Sequence, residues 1–154
     1  MGQQQLLLLV LAIVIVGLAV VAGIQAFAEN QRKANIDGLT MTSTRLAVEA
    51  QSWLRTPIMR GGGMPETGDR PSNFLNITLD FGIMGYPVNG NLEYQDIHGF
   101  YKGEVIDSDF VIRAFSANTS GDNADNNVVC VTITGTSLGD ITTEINPPGG
   151  TCSS

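Results

Sequence analysis

The chain has 154 residues, 43% of them apolar, and a formal net charge of −7 at pH 7. Setting aside an N-terminal helical segment of about 55 residues leaves roughly 100 residues, enough for one small globular domain. The charge is divided unevenly, +2 over residues 1–60 and −9 over the rest. This acidic remainder argues against a dedicated nucleic-acid-binding protein, which would carry a basic patch.

The N-terminal stretch carries no charged side chain before Glu29. Its apolar run from Leu6 to Ala28 is rich in leucine, valine, isoleucine and alanine. A helix of about 20 apolar residues suffices to cross a bilayer. Residues 1–28 are therefore predicted to form a helix that meets lipid or other apolar helices.

The flanking charges give conflicting orientations for such a span. Arg32 and Lys33 are the nearest basic residues and follow the apolar run, which would place the rest of the chain in the cytoplasm. The two late cysteines indicate an oxidising compartment instead. The conflict disappears if Met1 is a processed end from which a basic leader has been removed, and we adopt this interpretation as an expectation.

The following segment, 29–56, has an amphipathic pattern. Its apolar stripe repeats at spacings of three and four residues and consists of Leu39, Thr42, Leu46, Ala50 and Trp53. Gly38 is a weak point in this helix. Pro57 terminates the pattern, so one helix over about 2–55 is predicted, packed by its C-terminal half on the remaining domain.

Residues 57–73 are rich in proline and glycine and are predicted to form a loop. Residues 74–154 are predicted to form an antiparallel β domain, because short β-branched or aromatic runs alternate with turn residues. The predicted strands are 74–79, 97–105, 110–115, 128–134 and 141–145. The predicted fold class is α+β.

The only two cysteines are Cys130 and Cys152. Their late position in a small anchored domain predicts one disulfide, which would tether a Gly/Ser/Pro-rich tail. The alternative is two unrelated free thiols.

Few residues suggest chemistry. His98 is the only histidine, so a structural or solvent-facing role is expected, and no enzyme activity or cofactor is predicted. The loop containing Asp122, Asn123 and Asp125 is a weak calcium candidate, against the alternative of an ordinary polar turn. Asn76 and Asn118 begin glycosylation sequons.

The polar start, the apolar run from Leu6, the amphipathic continuation to Trp53, the small sheet and the late cysteine pair together resemble the mature type IV pilins and the related pseudopilins. The resemblance implies cleavage by a prepilin peptidase, N-methylation of Met1, and residence in the inner membrane before assembly. It further implies that assembly machinery builds many copies into a filament on the cell surface.

The resemblance also assigns roles within the helix. Assembly is expected to use Gln5 and an apolar set consisting of Leu6, Leu9, Ile13, Val16, Val20, Ile24 and Phe27. Most pilins have glutamate where this chain has Gln5, and that glutamate neutralises the terminal amine of a neighbouring subunit. Gly17 and Gly23 lower helix stability, so the helix is expected to stretch near them in a filament.

The expected function is therefore that of a structural filament subunit. Two alternatives remain at this stage. One is a pseudopilin of a type II-like secretion system, which shares this N-terminus. The other is a membrane-anchored binding domain that never polymerises.

Overall fold

The structure is a computed structural model, and it describes residues 2–64, 71–116, 128–145 and 152. The chain divides into two compact units, Met1–Ala34 and Asn35–Ser154. A single α-helix, α1 (Gly2–Arg55), contributes to both units. The predicted helix over about 2–55 is thus confirmed, and Pro57 follows its end because proline cannot continue the backbone hydrogen bonding.

The second unit contains a five-stranded antiparallel sheet whose strands follow one another in chain order. The strands are β1 (Glu93–Gln95), β2 (Gly99–Ile106), β3 (Asp109–Ser116), β4 (Val128–Ile133) and β5 (Ile141–Ile145). One 3-10 turn, Ile58–Arg60, follows α1, and a second, Leu138–Asp140, precedes β5. The predicted α+β class is confirmed.

The predicted strand over 74–79 is not formed. Phe74 and Leu79 are buried, as the apolar pattern suggested, but the chain turns between them. Asn76 adopts a left-handed backbone conformation (φ 61°), and the amide of Ile77 donates to the carbonyl of Phe74. The segment therefore fills the core through a turn followed by extended chain.

The core lies between one face of the sheet and the part of α1 that belongs to the second unit. The helix contributes Leu39, Leu46, Ala47, Ala50 and Leu54. The sheet contributes alternate residues of its strands, because successive side chains point to opposite faces. The sheet residues are Tyr101, Phe110, Ile112, Ala114, Val129, Val131 and Ile133. The connecting segment, residues 71–92 before β1, adds Phe74, Leu79 and Phe81.

Asp96 fixes the helix to the β1–β2 hairpin. Its Oδ2 accepts a hydrogen bond from the Thr42 hydroxyl at 3.2 Å. Its Oδ1 accepts hydrogen bonds from the amides of His98 and Gly99 and from the Tyr101 hydroxyl. Burial raises the pKa of Tyr101, and the negative charge and hydrogen bond of Asp96 raise it further. One carboxylate thus orders the turn and ties it to α1.

Gln51, nearer the C-terminal end of α1, connects the helix to the loop between β4 and β5. It is almost fully buried, and its Nε2 donates to the carbonyls of Gly135 at 2.8 Å and Ser137 at 2.9 Å. Both carbonyls belong to the connection between β4 and β5. Because a buried amide requires partners, these bonds hold the loop against the helix.

Gly38 allows His98 to lie against the helix. A methyl group at Gly38 would come within 2.4 Å of the His98 Nδ1. We expect Gly38→Ala to lower the free energy of unfolding because the imidazole must move. In a His98→Ala background the same change should raise that free energy by about 1 kcal/mol, the usual helix preference for alanine over glycine. Urea titrations of the four chains, followed by Trp53 fluorescence, test this reversal of sign, and equal effects in both backgrounds would contradict it.

Tyr86 links the connecting segment to α1 through a hydrogen bond from its hydroxyl to Glu49. Burial, followed by this hydrogen bond and the charge of Glu49, raises the pKa of Tyr86 to about 12. In an unfolded chain the tyrosine pKa is about 10. Between about pH 10 and pH 12, the Tyr86 hydroxyl therefore keeps its proton in the folded state but releases it in the unfolded state.

This difference predicts a pH dependence. The contribution of Tyr86 to stability is fully present below pH 10 and is lost as the pH rises towards 12, because the unfolded state then binds fewer protons. Tyr86→Phe should flatten the fall in urea midpoint over this range, and the contribution of Tyr101 should remain. Parallel pH profiles for the two chains would show that Tyr86 is not the group responsible.

Candidate membrane and assembly surface

The first unit is formed by the N-terminal part of α1, and its side chains from Gly2 to Ala34 are all exposed. The most apolar window of 18 residues has a mean hydropathy of 3.2, and none of it is buried. By length and composition, the helix is able to cross a membrane. Monomeric soluble proteins rarely expose so much contiguous apolar surface, which makes this helix a candidate surface for contact with a membrane or another protein.

The residues predicted to carry assembly lie on this surface. Leu6 and Phe27, at its two ends, are 66% and 65% exposed. The residues between them that share the role are Leu9, Ile13, Val16, Val20 and Ile24, all exposed. Their spacing of three and four residues places them along one side of the helix. They form the apolar stripe from Leu6 to Phe27, on a helix whose other sides are also apolar and exposed.

The helix begins with an uncharged polar turn. Gln3, Gln4 and Gln5 are exposed, and the first turn contains no acidic residue. Each glutamine amide both donates and accepts hydrogen bonds, whereas glutamate would only accept them when ionised. Met1, for which N-methylation is predicted, lies outside the described residues.

Gly17 and Gly23 leave the helix continuous in the single chain. A Cβ at either position would meet no atom within 4 Å outside the local helix backbone. The two glycines are thus shallow gaps in an otherwise bulky surface. The predicted stretching near them concerns the filament and stays a prediction.

The first charged groups mark the end of the apolar surface. Glu29 and Lys33 form an exposed pair at 3.9 Å with the favourable i,i+4 spacing. Such surface pairs contribute little stability. Their significance is positional, since these charged side chains suit water or a headgroup layer.

The predicted disulfide between Cys130 and Cys152 is present, with a Cα–Cα distance of 5.5 Å. Cys130 is buried in β4, where its cross-strand neighbours are Arg113 and Glu144. The bond therefore attaches position 152 to the sheet face opposite the helix. A disulfide of this kind is typical of an oxidising compartment.

The remaining predicted site residues are distributed as follows. Asn76 is exposed in its turn, which is compatible with modification, and Asn118 lies outside the described residues. The calcium candidates Asp122, Asn123 and Asp125 also lie outside them. Within the described ranges, no group of three or more His, Cys, Asp or Glu side chains is arranged to hold a metal ion.

Several exposed apolar residues of the second unit had not been singled out from the sequence. Met41 and Val48 lie on α1 opposite the buried Leu39 and Leu46, and Met41 is 79% exposed. Met59 follows in the 3-10 turn and is 85% exposed. Met41 and Val48 are seven residues apart, as are the buried Leu39 and Leu46. This spacing could have indicated from the sequence that they share an exposed side of the helix.

Comparison with family models, with curated proteins and with solved structures found no match to this chain. A long exposed apolar helix that continues into a unit containing an antiparallel sheet is compatible with a polymerising or membrane-anchored subunit.

Proposed function

We propose that this protein is a structural subunit that polymerises through its N-terminal helix into an extracellular filament of the type IV pilus kind. The observation that carries the proposal is the fully exposed apolar helix of the first unit. Before assembly, the inner membrane covers this surface. After assembly, copies of the same helix cover it.

The energetics of this exchange follow from the composition of the helix. Moving apolar side chains from lipid to a bundle of apolar helices gains little hydrophobic free energy, because both surroundings are apolar. Side-chain packing and hydrogen bonds must supply the difference. The stripe from Leu6 to Phe27 provides packing surface, and an energy-driven assembly machine extracts the subunit.

Gln5 supplies a polar contact at the start of the helix. In the proposed assembly its amide oxygen accepts a hydrogen bond from the terminal ammonium group of a neighbouring copy. An uncharged amide costs less to bury than an unpaired carboxylate. Gln3 and Gln4 extend this polar layer, so recognition at the helix start does not require a glutamate.

Processing and location follow from the same proposal. A prepilin peptidase generates the mature end, and Met1 is N-methylated. The second unit, with its disulfide and acidic surface, lies outside the membrane in an oxidising compartment. Neither an enzymatic reaction nor a cofactor has a part in the proposed role.

The experiment is mechanical shearing of cells that express the full chain, followed by mass spectrometry of the sheared and membrane fractions. The proposal predicts the chain in sheared filaments, with a methylated Met1. A methylated chain confined to short periplasmic assemblies would instead indicate a pseudopilin. An unmethylated chain that remains monomeric in the membrane would indicate a non-polymerising anchored domain.

A further inference from the structure

A groove of about 690 Å³ lies at the edge of the sheet beside Leu92, where β1 begins. β1 pairs with β2 only as far as Lys102, whereas β2 continues to Ile106. Among the described strands, none pairs with this edge of β2 beyond Lys102. The opposite wall is the segment 76–80, which forms no strand ladder with β2.

The backbone around this groove is unusual. Asn76, Leu92 and Asp107 are the only non-glycine residues with positive φ in the described ranges, and all three line the groove. Leu92 has a φ of 61°, which is a genuine outlier for leucine because its Cβ crowds the backbone. Strained residues persist only where the surroundings fix them, and they cluster at binding sites.

The groove is acidic. Asp80, Glu104 and Asp107 line it together with one cation, Lys102, which pairs with Glu104 at 3.9 Å. Asp80 and Asp107 form no ion pair within the described part of the chain. The Leu92 side chain adds an apolar surface. An occupant with two positive charges and an exposed apolar group would complement these walls.

The second unit itself presents such a group, which we call the knob: residues 55–60, at the end of α1 and in the 3-10 turn. Arg55 and Arg60 are exposed and make no ion pair with other described residues. Between them, Ile58 and Met59 are exposed apolar side chains.

The knob is an ordered element, because its turn is closed by backbone hydrogen bonds. The amide of Arg60 donates to the carbonyl of Pro57 at 2.9 Å, and the amide of Gly61 donates to that of Ile58 at 2.9 Å. The amide of Ile58 also donates to Met64 at 3.1 Å. A turn that is already ordered loses little backbone conformational entropy when it binds.

We propose that the groove binds the knob of a second copy of this chain, with Arg55 and Arg60 opposite Asp80 and Asp107, and Met59 against Leu92. This inference rests on the proposed polymerisation. The two surfaces share no residue, so a single knob-in-groove contact between two copies is heterologous, and in an open row of copies it leaves a free knob at one end and a free groove at the other. It would fix the register between second units while the helices supply the common core.

The test is a charge-exchange experiment in the full chain, expressed in cells and measured as filament yield after shearing. The knob variant carries Arg55→Glu and Arg60→Glu, and the groove variant carries Asp80→Lys and Asp107→Lys. The exchanged chain carries all four changes. Glu144→Lys, at an exposed position of β5 that does not line the groove, is the control for a charge reversal elsewhere on the sheet. Membrane-fraction levels and thermal unfolding show that each variant folds.

The knob and groove variants should each lower filament yield by at least about tenfold, because two ion pairs become repulsive. The exchanged chain should recover to within roughly threefold of the wild type.

Unchanged yield in either variant, or no recovery in the exchanged chain, overturns this contact while wild-type filaments still support the proposed function. If the groove variant alone fails, the groove has a different occupant and the proposal is wrong. If the wild-type chain forms no filaments, both the proposed function and this contact are wrong.

Discussion

Replacing Val16 with lysine is expected to abolish filament assembly. Val16 is exposed on the apolar stripe of the first unit, near the middle of the segment long enough to span a membrane. A lysine at the centre of such a span costs about 2.5 to 3.5 kcal/mol, which corresponds to a drop of roughly 100-fold in the partition equilibrium. In an assembled bundle the ammonium group would also be buried without a partner.

The measurement is the amount of chain in the membrane and sheared fractions of cells that express Val16→Lys. The matched control is Ile97→Lys, because Ile97 is 90% exposed in the turn between β1 and β2 and already meets water. The control should assemble like the wild type. Wild-type yields of filament from Val16→Lys would show that the apolar stripe is not the assembly surface.

Removal of the disulfide is expected to produce the largest change in the stability of the second unit. Cys130 and Cys152 are separated by 22 positions, and closing a loop of this size contributes about 3 kcal/mol in the chain-entropy model. Cys152→Ser should therefore lower the free energy of unfolding by about that amount. Proteolysis should begin in the C-terminal segment, because the sheet keeps its helix-facing core.

Urea unfolding of the full chain in detergent micelles, followed by the fluorescence of the single tryptophan, measures this effect. The double variant Cys130→Ser/Cys152→Ser is the control for the thiol that Cys152→Ser leaves buried in β4. Both variants should show a similar loss. Heat and protease resistance equal to that of the wild type would contradict the role assigned to the bond.

The elements with a strong local pattern were predictable from the sequence. The helix was predicted to about residue 55, because an apolar run, an amphipathic stripe and Pro57 gave consistent signals. The β-branched run in β4 and the apolar and aromatic run in β3 likewise predicted strands near their observed positions. The runs in β3 and β4 are nearly continuous because both faces of these central strands are largely buried.

Elements that depend on contacts distant in sequence were missed or wrongly assigned. β1 is only three residues long and is defined by its pairing with Phe100, Tyr101 and Lys102. The apolar residues of 74–79 were assigned to a strand because burial in a turn produces a similar pattern. Gly38 was read as a weak point in the helix, although the structure shows that it makes room for His98.

The candidate surfaces divide in the same way. The exposed stripe from Leu6 to Phe27 follows from composition, so the sequence predicted it. The groove depends on left-handed residues at 76, 92 and 107 that meet only after folding. No local pattern places Leu92 in that conformation. The knob can be recognised as a binding element only once the acidic groove that it complements is known.

Helical reconstruction of sheared filaments by electron cryomicroscopy tests the central claim most directly. We expect a core in which residues 6–27 of each copy are buried against the same segment of neighbouring copies, with the sheet-containing units outside. Filaments whose core is built from another chain would contradict it. Recovery of this chain only as single copies in the membrane fraction, with its helix still covered by lipid or detergent, would contradict it equally.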